Sequence, residues 1–229
     1  MAETYILKIL ITVLSVPFVL LSRIAELFNV CGIRKEVRKC LEVVDSSWQL
    51  VPRPFLAPLV AGEDHRNELH YGVDPIAMIR AAYVRIRSGR IQGASTIEQQ
   101  FVRVVTGRFE RSARRKIREQ ILAIAVSRRR EKSQIASAYL SIAFYGSGCV
   151  GIEGVNGCYR ENPSVPERKE ILELIARLKY PEPSQPTPDW RRKLNSRIEY
   201  IRGREEQSAN NSFNADSKKR RFAPLFTAG

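Results

Sequence analysis

Glu63 and Asp64 open a run, GEDHRNELHYGVD, that also holds both histidines of the chain, His65 and His70, and a further carboxylate at Asp74. A carboxylate held partly out of water can act as a general base near neutral pH, because burial raises its pKa. The histidines are five residues apart, off the i,i+4 spacing of a helical zinc pair, and no third ligand is evident. His70 therefore reads as a structural hydrogen-bonding residue and His65 as solvent-facing. Further along the balance reverses. From Phe101 to Arg130 ten arginines and lysines face two acids, Glu110 and Glu119. Arginine grips phosphate oxygens in a two-pronged fork and does not lose its charge, so this stretch suits an anionic ligand.

The whole chain repeats that bias. Its 229 residues carry 38 basic against 24 acidic side chains, a formal charge of +14. Such an excess suits nucleic acid, an anionic membrane surface or a phosphorylated substrate, and composition does not choose among them. Four cysteines without a CxxC pair argue against zinc. Cys149 and Cys158 flank a glycine-rich loop and could pair in an oxidising compartment; buried or free thiols are the plainer alternative. Tyr5 to Ser22 is apolar apart from Lys8, and no small-x-small cleavage site follows. This reads as an uncleaved membrane anchor over 5–22, with a buried hydrophobic helix as the other reading.

The elements that must position these residues are helical. Asp74–Pro75 is a helix start, and Ile76, Ile79, Tyr83 and Ile86 then recur at helical spacing towards Gly89. Ser95 and Glu98 read as a capping box for a second helix ending near Gly107. A third helix is expected over Ser112 to Arg128, with Ile117, Ile121, Ile124 and Ala125 on its apolar side. Ser133 is the expected cap of a fourth, and Ser164 with Glu167 of a fifth over Pro166 to Leu178. After the proline-rich YPEPSQPTP a last basic helix is expected from Trp190 to Arg204, followed by a disordered tail.

Four blocks stand in one order: E-D-x5-H-x-G-x-D from Glu63, G-A-S-T-I-E-Q-Q from Gly93, R-K-x-x-E from Arg115, and K-x-x-I-x-x-x-Y-L from Lys132. Together they resemble glycosyltransferase family 51, the peptidoglycan glycosyltransferases, of the short monofunctional type. The resemblance implies a mostly α fold: a single lysozyme-like helical glycosyltransferase domain at 54–188 behind an N-terminal anchor at 5–22. A membrane-proximal segment at 23–53, a basic helix at 189–206 and a tail at 207–229 complete the expected layout. The S-x-x-K, S-x-N and K-T-G set of a transpeptidase is not present as a set, since S-x-x-K and K-T-G are both absent.

The same resemblance implies roles. Glu63 would be the general base that takes the acceptor's 4-hydroxyl proton, with Glu119 as the second essential carboxylate. Asp64, Arg80, Ser95, Gln99, Gln100, Arg103, Arg111, Arg115 and Lys116 would bind substrate, the cations facing the departing pyrophosphate. A divalent cation such as Mg²⁺ near Glu119 is a further expectation, with no cofactor otherwise implied. Plainer readings exist for several of these: Glu119 as an i,i+4 ion-pair partner of Arg115, Ser95 as a helix cap, Gln99 and Gln100 as loop ties. Expected partners are lipid II, the growing glycan strand, membrane lipids and other cell-wall synthesis proteins, with no nucleic acid.

Four positions depart from the family pattern: Asn67 for an aromatic, Glu98 for threonine, Val104 for asparagine and Ser141 for asparagine. A rival from another class is thus a weak or inactive member that binds lipid II or wall-synthesis partners. Orientation carries a conflict as well. Arg23, Arg34, Lys35, Arg38 and Lys39 follow the anchor, against only Lys8 near its start and the amino terminus, which alone would place the domain in the cytoplasm. The family's substrate lies on the outer, periplasmic face of the bacterial inner membrane, and that side is the expectation here.

Overall fold

The most apolar segment of the chain is helical from its start. In a computed structural model, which describes the backbone of residues 2–159 and 166–221 and the side chains of residues 5–159 and 166–211, helix α1 spans Ala2–Leu27. Its stretch Tyr5–Leu27 is long and apolar enough to cross a membrane, five residues beyond the expected boundary at 22. Ile11, Ser15, Ser22 and Ala25 form a buried stripe at heptad-like spacing, and Ser22 Oγ donates to the Ile121 carbonyl at 2.9 Å. Elsewhere on the helix many apolar side chains, among them Ile9, Val13, Leu20 and Ile24, are exposed. Arg34 closes the helix by donating to the Glu26 and Leu27 carbonyls at 2.7 and 2.6 Å, which satisfies acceptors a helix C-terminus leaves open.

Within the membrane-proximal segment at 23–53 lies helix α2 (Ile33–Ser47). Ile33, Val37, Cys40 and Val44 are buried at helical spacing and belong to the main core. Burying one such side chain contributes about 1.5–3 kcal/mol, so this helix is part of the domain. Helix α3 (Leu56–Glu63) stops at Glu63 because Asp64 leaves helical geometry at φ −155° and ψ 68°.

Helix α4 (Pro75–Ser88) starts as its residues predict: the Asp74 carboxylate accepts from Ala77 N at 2.9 Å, and Gly89 ends it in the left-handed region. The apolar residues at helical spacing are not core, however. Ile79, Tyr83 and Ile86 are exposed, Ile86 at 87%. Periodicity reports an apolar face and not what covers it.

Helix α5 (Ile97–Thr106) is capped by Thr96, whose hydroxyl accepts from Gln99 N, and not by Ser95. Helix α6 (Ala113–Ser127) is capped by Ser112 as expected. Every residue from Glu119 to Val126 is buried, so α6 is the central helix, packed against α1, α2 and α5, while Ile117 is exposed. Helix α7 (Lys132–Leu140) is capped by Glu131, whose N–H donates to Gln134 Oε1; Ser133 is already inside it.

The glycine-rich loop folds into a small antiparallel hairpin, β1 (Phe144–Gly146) with β2 (Cys149–Val150), followed by α8 (Ile152–Asn156). Cys158 is buried there and donates to the Gly154 carbonyl. Helix α9 covers Arg168–Arg177; the expected cap Ser164 lies outside the described residues. Helix α10 runs from Pro188 to Arg221, past Gln207 where composition pointed to a disordered tail. Neither proline nor glycine interrupts it after Gly203, so nothing local stops the helix. Its first half is buried at Leu194, Arg197 and Ile201 against α3 and α9.

Candidate active site

Consecutive helical residues point about 100° apart, and the first turns of α5 use that geometry to serve three clusters. Gln100 faces Glu63, Gln99 faces Lys116, and Glu98 faces Lys132. Arg103, one turn on from Gln99, reaches Glu119. The S-T-I-E-Q-Q block is therefore a hub, and the ties between loops that its glutamines suggested are ties to charged side chains of other helices.

The first cluster surrounds Glu63. Gln100 Nε2 donates to Oε2 at 2.9 Å, and Arg197 of α10 donates to Oε1 at 2.8 Å and to the Gly62 carbonyl at 2.5 Å. Gln100 is fixed in turn by the Tyr139 hydroxyl, which donates to its Oε1 at 2.8 Å. Burial first, and the Glu63 charge second, push the Tyr139 phenol well above its ordinary value, so it stays a donor. Glu63 is held by two donors on separate helices, which fixes its direction.

The second cluster is a cage of cations around Glu119, itself 4% exposed. Arg103 donates to it at 2.7 Å, Arg115 donates to its other oxygen, and Lys116 Nζ lies 3.5 Å away. Lys116 also donates to Ser95 Oγ at 3.1 Å and to Gln99 Oε1, and Arg103 to Ser95 Oγ at 3.3 Å. Ser95 is thus a ligand of cations and leaves capping to its neighbour. Burial lowers Lys116 below the usual lysine value, with Glu119 working against that and Arg103 adding to it. The Arg115–Glu119 pair is the i,i+4 contact that spacing suggested, yet Arg103 comes from another helix, so the carboxylate organises a tertiary cluster.

The third cluster lies behind the first. Asp64, expected at the substrate, is turned inward: both oxygens accept from His70 Nε2, at 3.1 and 3.0 Å, and Oδ2 accepts from Asn67 Nδ2 and Ile97 N, each at 3.3 Å. Burial opposes its charge, but the His70 and Asn67 hydrogen bonds and the Lys132 charge hold its carboxyl below the ordinary value. Gly72 lets this loop press onto α6. Its φ is +84°, and a Cβ there would sit 2.6 Å from the Ala123 carbonyl oxygen. Its own carbonyl accepts from Thr96 Oγ1 at 2.8 Å, which docks the loop on α5.

Arg80 is half-buried on α4 and Arg111 is exposed beside Ser112; neither joins the cation cage. His65 is exposed as expected, yet partial desolvation of its ring, with the Arg204, Arg66 and Arg80 charges, lowers its pKa to about 4. As it stands Glu119 offers one carboxylate among three cations, a donor set that does not fit a divalent metal. Asp64, His70 and Glu98 bring ligand atoms within 4.8 Å of one another, but the Lys132 ammonium already occupies the cation position between His70 and Glu98. Residue spacing missed Arg197, which lies 134 positions from Glu63. Lys132 and Tyr139 were visible in the fourth block, without a role.

Comparison with known proteins adds a family-level likeness. The family model described as Transglycosylase matches residues 35–205, wider at both ends than the 54–188 drawn from the motifs. Penicillin-binding protein 1A of Aquifex aeolicus (strain VF5) is 37% identical over 135 residues, 58% of this chain and 18% of the relative. Penicillin-binding protein 1A of Escherichia coli (strain K12) is 34% identical over 140 residues, 61% of this chain and 16% of the relative. The protein of the same name from Rickettsia prowazekii (strain Madrid E) is 33% identical over 157 residues, 66% and 20% respectively. The matched part is about a fifth or less of each relative's length.

Proposed function

This chain belongs to the transglycosylase family, the peptidoglycan glycosyltransferases, and from that membership we propose that it joins lipid II units into β-1,4 glycan strands with Glu63 as general base. The observation that carries the proposal is the division of labour around α5: a single acid held by Gln100 and Arg197, and a separate cage of Arg103, Arg115 and Lys116.

In this mechanism the 4-hydroxyl of the acceptor's N-acetylglucosamine gives its proton to Glu63 while its oxygen attacks C1 of the donor's N-acetylmuramic acid. The new bond forms on the face opposite the leaving group. The C1–oxygen bond breaks, its electrons depart with undecaprenyl pyrophosphate, and the α-linked donor becomes a β linkage. Negative charge grows on that pyrophosphate, and preorganised cations stabilise it without having to reorganise; one such donor is typically worth about 2.7–4 kcal/mol. Glu119 keeps three like charges close together before substrate arrives. A divalent cation at this site would enter with the pyrophosphate oxygens and not on Glu119 alone.

Helix α1 would anchor the chain in the inner membrane with the domain on the periplasmic side, where lipid II is presented. The exposed Ile79, Tyr83 and Ile86 of α4, a helix in contact with α1, suit an apolar membrane boundary, and Arg85, Arg87 and Arg90 suit anionic headgroups. Arg34, one of the cations that argued for a cytoplasmic domain, is spent on capping α1. Purified protein given lipid II, detergent and a divalent cation tests the proposal. Wild type should yield glycan strands and Glu63→Gln about a hundredfold less product, or lower still, in the same time; lipid II bound but left unjoined by both would point to a binding protein.

A further inference from the structure

Two of the four departures from the family pattern meet in the fold. Asn67 and Glu98 are 31 positions apart, both buried, and Asn67 Nδ2 approaches Glu98 Oε1 at 3.5 Å while lying 3.3 Å from Asp64 Oδ2. Lys132 donates to the same Glu98 oxygen and lies 3.3 Å from His70 Nδ1; His70 Nε2 returns to Asp64. Five side chains thus close a ring: Asp64, Asn67, Glu98, Lys132, His70. Hydrogen-bond roles around it are consistent, with His70 donating from Nε2 and accepting at Nδ1.

Each departure makes physical sense only with the other. A phenylalanine at 67 has no N–H to place between the Asp64 and Glu98 carboxylates, so two buried acids would lose the amide that separates them. A threonine at 98 cannot reach as far as a glutamate, so Lys132 and the Asn67 amide would lose their shared acceptor. Stability alone does not account for the ring, because Glu98 is 1% exposed and its Oε2 has no hydrogen-bond partner among the described residues.

The ring ties together the elements that hold the base. Asp64 is the residue at which α3 ends, directly after Glu63. Glu98 lies on α5, two residues before Gln100. Lys132 opens α7, two turns before Tyr139, which holds Gln100. Glu63, Gln100 and Tyr139 are thus carried by segments that the ring clamps to one another. We infer that Asn67 and Glu98 act as one matched pair of positioning residues for Glu63, replacing the family's aromatic and threonine with a polar clamp. This rests on the proposed glycosyltransferase function and adds a specific role for two residues that the motif pattern left unexplained.

A double-substitution cycle in the full-length protein tests it. Asn67→Phe, Glu98→Thr and the combined variant are compared with wild type by kcat and KM for lipid II polymerisation and by thermal unfolding. Each single change should lower kcat by about tenfold or more with KM altered less than about threefold, and the combined variant should recover to within about threefold of wild type. Glu98→Gln, close in volume, should show the same loss in kcat while still unfolding cooperatively. Losses that multiply in the combined variant, or that fall on KM, would overturn the inference. Should a single variant fail to fold, failure of the combined variant as well would overturn the pairing, and its recovery would support it. Wild type that binds lipid II without joining it would instead overturn the catalytic proposal, before any variant is made.

Discussion

Lys116 is the residue whose chemistry can be followed by pH alone. Burial lowers its pKa from the ordinary lysine value, so its charge is lost at a lower pH than that of a solvated lysine. If that charge faces pyrophosphate, activity should fall on the alkaline side as Lys116 loses its proton. Lys116→Arg should carry the limb to higher pH, because a guanidinium stays charged; a limb that does not move would remove Lys116 from the role. His65 gives an acid-side counterpart in stability. Its folded pKa of about 4 lies below the unfolded 6.5, so the folded state resists its protonation. The stability involved is present above pH 6.5 and is lost as pH falls towards 4. His65→Asn should flatten that part of a urea-midpoint-versus-pH curve, modestly, since the ring is exposed to solvent.

At the scale of elements, α10 has a part that its charge pattern hides. Arg197 and Ile201 on its buried face hold α3, and Ile201 packs where Gly62 leaves room beside Glu63. Arg197→Ala should lower kcat by about tenfold or more, as a buried pair that loses one partner leaves its mate poorly held. Arg192→Ala on the same helix, at a side chain 79% exposed, should leave kcat unchanged. Helix starts at Asp74 and Ser112 were legible because a capping oxygen and the backbone N–H that donates to it lie three residues apart in the chain. The choice of Thr96 over Ser95 was not, since adjacent residues can both cap and only tertiary partners decide which is drawn elsewhere. Glu63, Glu119 and the motif cations were named through the family resemblance, spacing alone making Glu119 only an ion-pair partner of Arg115; Arg197 was not named, because one arginine among many on a basic helix has no local signature. The α4 stripe was legible as apolar, but sequence does not distinguish a face covered by protein from one left uncovered.

For the whole molecule, the apolar surfaces of α1 and α4 and the exposed Cys31 make placement testable. Ile79→Glu with Ile86→Glu should weaken association with vesicles containing anionic lipid, while the unfolding temperature stays near wild type, since both side chains are exposed. Cys31 lies just beyond α1, so an impermeant thiol reagent should label it in intact cells with a permeable outer membrane if the domain lies outside. Labelling only after lysis would reverse the orientation. The central claim is that Glu63 is the base for joining lipid II units. Its most direct measurement is kcat for wild type and Glu63→Gln beside lipid II affinity for each. Removing a general base should cost about 10²–10⁴-fold in rate, with affinity within a few-fold of wild type. Equal rates would contradict Glu63 as the base.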